Sequence, residues 1–294
     1  MPNSICSIVV LTILAAAPAR AQSFNLHASP YTLVPSPGYG AATGQAGVWS
    51  TIPDEQTNGG AWWFLKNLAG NPTTAYARTE GICMNWDANC DINGYGPDVY
   101  ALFASYITAS CYATPADTWI HGLQPGHYEA TLYGAQCYTP GDVITITVNG
   151  GQVAVPVSGS YNGGFASMTL GRFSFDLTNS NTLGLRSVNT NAAWCALQLT
   201  YFEFPTAYCT AKVNSLGCAP SIGSIGIPSA SAGSGFTING SNVRNMKPGM
   251  LLYGLSGPAA IPFHGGTLCL AAHKRSLSVN SGGNPGGNGS CQRL

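Results

Sequence analysis

Between positions 85 and 98 the chain reads "NWDANCDINGYGPD", a run of alternating acid and amide side chains in a sequence that is only 7% charged. Asp87, Asn89, Asp91 and Asn93 fall at every second position, and Asp98 closes the run. Calcium takes about six to eight hard oxygens, and counted from Asp87 these residues fill roughly places 1, 3, 5, 7 and 12 of an EF-hand-like loop. Three features oppose a true EF-hand, the first being that no helix is evident before Asp87. Ile92 stands where the sharp turn needs glycine, and the last place holds Asp98 rather than a bidentate Glu. An irregular calcium loop is the second reading. The preferred one is an Asx-rich turn held by a Cys83–Cys90 disulfide, with Asp98 capping the helix that follows.

A different chemistry is suggested by "GGAWWFLKNL". In a strand, Trp62 and Trp63 point to opposite faces, so one can enter a core while the other looks outward and offers a ring to a sugar. Trp62, Trp63 and Trp86 are the candidate carbohydrate contacts. Trp49 and Trp119 are further ones, although Trp119 reads as the start of a core strand, and core packing is the ordinary role of each.

Enzymatic signals are poor. There is no G-x-S-x-G, H-E-x-x-H, P-loop or dinucleotide fingerprint. Two placed carboxylates would serve a glycosidase, and Asp54, Glu55 and Glu80 are available, but no spacing singles them out. The five histidines (His27, His121, His127, His264 and His273) are scattered; His121 and His127 flank one turn and could lie close together.

The elements that must position these residues are mostly strands. Gly (37) and Pro (19) are abundant and 45% of residues are hydrophobic, which favours a folded, turn-rich, all-β architecture over disorder. "QPGHYEATLYGA", "DVITITVNG", "QVAVPV", "FASMTLGRFSFDL", "NTLGLRSV" and "AWCALQLTYFEF" read as successive strands, and Asn149-Gly150 is a hairpin signal. This pattern describes a β-sandwich. "PDVYALFASYI" (97–107) has helical spacing behind Pro97 and predicts one short helix.

Residues 5–17, "ICSIVVLTILAAA", are too short an apolar run to anchor in a bilayer. With "ARA" after them they read as an export leader over 1–21, giving a mature start near Gln22. No other stretch approaches membrane-spanning length. Of ten cysteines, Cys6 leaves with the leader. Nine remain (Cys83, Cys90, Cys111, Cys137, Cys195, Cys209, Cys218, Cys269 and Cys291), an odd number that suits an oxidising space and leaves at least one unmatched. No pair has CxxC spacing, which argues against zinc.

Charge divides the chain. All 11 acids lie between Asp54 and Glu203, where residues 22–205 hold four bases; residues 206–294 hold six bases and no acid. This predicts two units, 22–205 and 206–294. The bases of the second are too dispersed for a nucleic-acid surface.

"GYGAATGQAGVWSTI", "PDVYALFASYI", "TWIHGLQPGHYEATLYG", "VNGG" and "LQLTYFEF" together resemble a recurring domain of exported bacterial proteins. That family is similar to galactose-binding-like β-sandwiches, the group that includes malectin-like and many carbohydrate-binding modules. The resemblance covers roughly 37–204 and implies a jelly-roll sandwich with one short helix; its motifs are structural and carry no catalytic residue. "YCTAKVNSLGCAPSI", "GIPS", "MLLYGLSGPAAIPFHGGTLCLA" and "SVNSGG" are similar to a small β-rich C-terminal module. Such modules run on after a segment like "GGNGSC", so this one reads as truncated, with unpaired strand edges. Cys209–Cys218, and then Cys269–Cys291, are the bridges that spacing suggests in it, although spacing does not fix connectivity. The expectation is a secreted, non-catalytic protein directed at carbohydrate or the cell surface. Its partner would be an extracellular glycan or envelope component, with no cofactor other than calcium. A structural surface protein and a hydrolase with a hidden site are the alternatives.

Overall fold

The computed structural model describes residues 9–10, 22–29, 33–52, 62–80, 83–86, 94–108, 116–134, 142–158, 161, 163–178, 180–187, 193–205, 208–209, 211–213, 217–228, 234–263, 266–282 and 291–292. The chain forms two compact units, 18–203 and 204–294, the second joined by residues 1–17, from which β1 (Val9–Val10) comes. Among the described residues no helix is long and apolar enough to cross a membrane.

The larger unit contains β2 (Phe24–Ala28), β3 (Trp49–Ile52), β4 (Trp62–Lys66), β5 (Pro72–Glu80), β6 (Cys83–Trp86), helix α1 (Pro97–Phe103), β7 (Ser105–Thr108), β8 (Ala116–His121), β9 (Gly126–Gly134), β10 (Asp142–Val148), β11 (Gly151–Val157), β12 (Gly171–Leu177), β13 (Leu183–Ser187) and β14 (Trp194–Phe202). It is a β-sandwich with one short helix, the fold class the strand pattern predicts. One sheet is antiparallel in the order β11-β10-β13-β8-β5-β4; the other runs β12-β9-β14-β2-β3, with β6 and β7 attached beside β14. Alternation explains the core. Ile144 and Ile146, Ala75 and Ala77, Ala116 and Ile120 from the first sheet meet Phe24, Leu26, Leu197, Leu199 and Trp194 from the second. The Asn149-Gly150 turn closes β10 and β11 with both residues at positive φ (51° and 79°), as a tight hairpin requires.

A second cluster covers the outer face of the seven-stranded sheet. Val99, Leu102 and Phe103 of α1 pack there with Trp49, Tyr106, Tyr133, Met168 and Cys195. The predicted helix over 97–107 is corrected: it ends at Phe103, and Ser105–Thr108 form a strand. Tyr106, Ile107 and Thr108 are strand formers, and the Ser105 hydroxyl donates to the Ala28 carbonyl (2.5 Å), pinning the chain to the sheet. Asp98 does not cap α1; Gly96 occupies the cap position without a side-chain bond. The Asp98 carboxylate instead accepts from the backbone N–H and the hydroxyl of Ser36.

A buried amide network straps residues 37–47 to the same face. The Gln198 side-chain oxygen accepts from Tyr133 (2.5 Å) and Thr43 (2.9 Å), and its NH2 donates to Asn25 Oδ1 (2.9 Å) and to the carbonyls of Gln45 and Gly40. Gln45 donates to Asn25 Oδ1 (2.9 Å) and the carbonyls of Phe24 and Leu199, and accepts from Thr200 (2.6 Å). His27 is fully buried in this layer, neither ring nitrogen making an aligned hydrogen bond. Burial pushes its pKa down to about 4, the backbone of Leu102 and Ala101 offsetting only part of that.

The smaller unit is built from short strands: β15 (Ser221–Ile225), β16 (Thr237–Ser241), β17 (Val243–Arg244), β18 (Pro248–Gly249), β19 (Leu251–Tyr253), β20 (Pro258–Phe263), β21 (Gly266–Leu270), β22 (Lys274–Arg275), β23 (Val279–Asn280) and β24 (Cys291–Gln292). Leu252, Leu268 and Leu270 form its small core. β1 lies parallel to β19, Val9 opposite Leu251, so part of the run read as an export leader is a strand here. The disulfide pairing suggested by spacing is corrected. Cys209 bonds to Cys269 (Cα–Cα 6.1 Å), not to Cys218, and Cys269 therefore does not bond to Cys291. Sequence proximity misleads because Tyr208 donates its hydroxyl to the Cys269 carbonyl (2.8 Å), laying this segment against β21. Cys218 is also disulfide-bonded. Among the described residues the free thiol is the buried Cys195.

Candidate binding face

The outer face of the six-stranded sheet follows from alternation. In β5, Ala75, Ala77 and Thr79 point inward and leave Tyr76, Arg78 and Glu80 outside; in β8, Ala116, Thr118 and Ile120 point inward and leave Asp117, Trp119 and His121. On the edge strand β4, Trp62 and Phe64 are 57% and 68% exposed. Register aligns these residues in rows across the sheet. Trp62 lies opposite Arg78, Arg78 opposite Trp119, Trp119 opposite Gly184, Gly184 opposite Thr147, and Thr147 opposite Gln152.

Two aromatic arrangements result. Trp62 stacks on Tyr76 (centroids 4.6 Å, planes 21° apart), and Tyr76 stacks on His121 (5.0 Å, 26°). These separations match the strand spacing, so the rings stand upright like plates and Tyr76 has both faces covered. Trp62, on the edge strand, keeps its far face free. Phe64 meets Tyr76 edge-on (6.1 Å, 66°). Trp119 is different. A Cβ on Gly184 would fall 2.4–2.9 Å from three atoms of its six-membered ring, so the indole lies over the glycine backbone and its other side faces away from the sheet.

Ion pairs frame one side. Arg186 holds Asp117 through two parallel bonds of 2.7 Å, which raise the arginine's pKa. Arg78 Nη2 pairs with Glu80 at 2.6 Å, and its buried Nε has no hydrogen-bond partner. On the other side His121 Nδ1 is 3.0 Å from the Thr182 hydroxyl. Burial and then the Arg78 charge lower the His121 pKa, which favours a neutral ring at physiological pH. The face thus offers one flat indole, one half-free indole, and carboxylates and guanidinium groups whose remaining lone pairs and N–H bonds are available to hydroxyls.

Of the tryptophans singled out by sequence, Trp62 lies on this face, whereas Trp63 turns inward and packs on the core. Trp86 lies on β6, with its side chain outside the described residues. Trp49 is buried in the cluster that covers the outer face of the seven-stranded sheet, donating to the Tyr39 carbonyl. The reading of Trp119 as a core residue is corrected: it looks outward. The signal for it was Gly184 in "NTLGLRSV", a glycine inside a strand that makes room for a close neighbour.

Asp87, Asn89, Asp91 and Asn93 of the proposed calcium loop, with Cys90, lie outside the described residues, as do Asp54 and Glu55. Of the acids named for hydrolysis, Glu80 is engaged by Arg78. His121 and His127 do not come together. They sit on the outer faces of opposite sheets, and His127 pairs with Asp176 at 2.6 Å. Among the described residues no group of three or more His, Cys, Asp or Glu side chains is placed to hold a metal.

No protein-family model matches this sequence, and no curated protein is significantly similar to it. Solved structures do align with it. A C-terminal family 6 carbohydrate-binding module of a marine laminarinase from Zobellia galactanivorans is 11% identical, over 42% of this chain and 90% of that one, with a TM-score of 0.26. A family 29 carbohydrate-binding module is 10% identical over 48% of this chain and 91% of that one, at 0.25. An exo-β-1,3-galactanase from Phanerochaete chrysosporium is 17% identical over 46% of this chain but only 32% of that one, at 0.27.

Proposed function

We propose that this chain is a secreted, non-catalytic carbohydrate-binding protein and that the outer face of the six-stranded sheet holds the sugar. The carrying observation is Trp119 laid over Gly184 beside the bidentate Asp117–Arg186 pair. A pyranose has one face of C–H bonds and a rim of hydroxyls. The indole matches the first by stacking, and the fixed ion pair matches the second with acceptors and donors already oriented. That two carbohydrate-binding modules are among the similar solved structures accords with this reading but does not carry it.

A glycan array probed with the full chain tests the proposal. Binding is expected to a subset of glycans, with a loss of at least about tenfold in Trp119→Ala, as for removal of a central aromatic anchor. Binding that survives both Trp119→Ala and Trp62→Ala would move the site away from this face. Absence of binding to any glycan would overturn the function itself.

A further inference from the structure

We propose that the face takes an extended, uncharged glycan chain that crosses the strands along the row Trp62, Arg78, Trp119, Gly184, Thr147 and Gln152; this rests on the carbohydrate reading above. The row has one residue from each of the six strands, in register. Five strand spacings make it about 24 Å long, room for several sugar rings rather than one.

Its relief fits a chain. The backbones of Trp62 and Trp119 are two strands apart, about 10 Å, and the Trp119 indole reaches a further strand to cover Gly184, so the two indoles are spaced for a chain of several rings rather than for one sugar. One sugar ring would lie on the Trp119 indole, another would stand against the free face of Trp62 at the sheet edge, and the chain between them would pass over Arg78. The Trp119 indole covers Gly184, and beyond it the surface drops at Thr147, giving a shallow trough rather than a wall. On one side stand the rings of Tyr76 and His121, and on the other the Glu80–Arg78 and Asp117–Arg186 pairs. A chain running along the strands would leave Trp62 and climb over these groups.

The charge argument sets the class. Both guanidinium groups already have a carboxylate, so the four charged side chains sum to zero. A uronate or sulfate would have to compete with Asp117 for the fork of Arg186 while approaching two carboxylates. Hydroxyls need no such exchange, because each carboxylate oxygen in the pairs keeps a free lone pair.

Calorimetry on the full chain with cello- and manno-oligosaccharides of increasing length, and with oligogalacturonates of equal length, tests this. Affinity for the neutral series is expected to rise by at least about tenfold from disaccharide to pentasaccharide, with the acidic series at least about tenfold weaker. Thr147→Glu is expected to weaken the pentasaccharide by a larger factor than the disaccharide. The exposed Gln152→Glu is expected to act in the same direction and does not touch the trough floor. A length dependence untouched by both variants, or an acidic series bound as tightly as the neutral one, overturns the path and class. The carbohydrate reading then still stands if Trp119→Ala abolishes that binding. Binding of neither series, with an array that is also negative, removes both.

Discussion

The two sheets of the sandwich bury their inner faces in one shared core, yet their outer faces have opposite fates. On the seven-stranded sheet, α1 and residues 37–47 come back across the strands, and Asn25, His27, Tyr133, Cys195 and Gln198 are buried beneath them. On the six-stranded sheet no described element does so, and Trp62 and Phe64 stand in the open. Aromatic content does not distinguish the faces. Tyr95, Tyr161, Phe103 and Phe165 are as clustered on the covered side, but they pack edge to face or tilted on one another and so consume each other's surface. Polar groups divide in the same way. The amides of the covered face saturate one another, whereas the ion pairs of the open face retain spare bonding capacity. A binding face is marked here by what is left unpartnered, not by residue type.

The sharpest way to break this contrast is at Gln198. Gln198→Leu removes the hub that serves Tyr133, Thr43 and Asn25 and deletes five hydrogen bonds at once, although Ala42 N–H, Gln45 N–H and Gln45 Nε2 still reach those three groups. A loss of roughly 3–5 kcal/mol is expected in urea denaturation. Glycan affinity of the folded fraction should be unchanged, since the network and the candidate face are on opposite sides of the sandwich. Comparable stability of the variant and the parent would mean that the strap is not held by these bonds.

A second, somewhat smaller effect is expected at His27. Its folded pKa lies near 4, below the ordinary histidine value of 6.5. Above pH 6.5 the ring is neutral in both states and contributes nothing to the pH dependence. As pH falls from 6.5 to 4 the unfolded chain takes up a proton that the folded one refuses, so stability declines, by roughly 3 kcal/mol in all. The comparison of His27→Leu with the parent in urea at pH 7 and pH 4.5 isolates this term. The parent should lose more stability than the variant. Equal losses would show that the ring is not desolvated under α1.

The sequence carried the strands better than the faces. Asn149-Gly150 and the alternation of "DVITITV" are local signals, because a hairpin and a half-buried strand are local structures. The start of α1 at Pro97 was legible for the same reason. Its end was not, since Ser105 leaves the helix through a bond to the Ala28 carbonyl, a residue far away in the chain. Trp119 points outward by the alternation of β8, but its flat seat depends on register against Gly184, which no local pattern shows, and the Asn25–Gln45–Gln198 network was invisible because buried amides have no periodicity. Cys209–Cys269 was missed because a disulfide joins what the fold brings together, and loop spacing says little about that.

The smallest expected effect sharpens the comparison most. Phe64 is 68% exposed on an edge strand and touches Tyr76 only edge-on. Phe64→Ala should change stability by no more than about 1 kcal/mol, the range of surface substitutions plus one lost ring contact. Trp62→Ala should behave similarly, because the ring gives up one stacked neighbour and little burial. On the covered face, Phe103→Ala, from a ring that is 1% exposed, should cost several times more, roughly 3–5 kcal/mol. If the open-face rings were structural, their removal would approach that value. Near-silence in denaturation together with weakened binding in calorimetry is the signature of rings kept for a ligand. Silence in both would assign the exposed edge of β4 no part in binding and leave Trp119 to carry it.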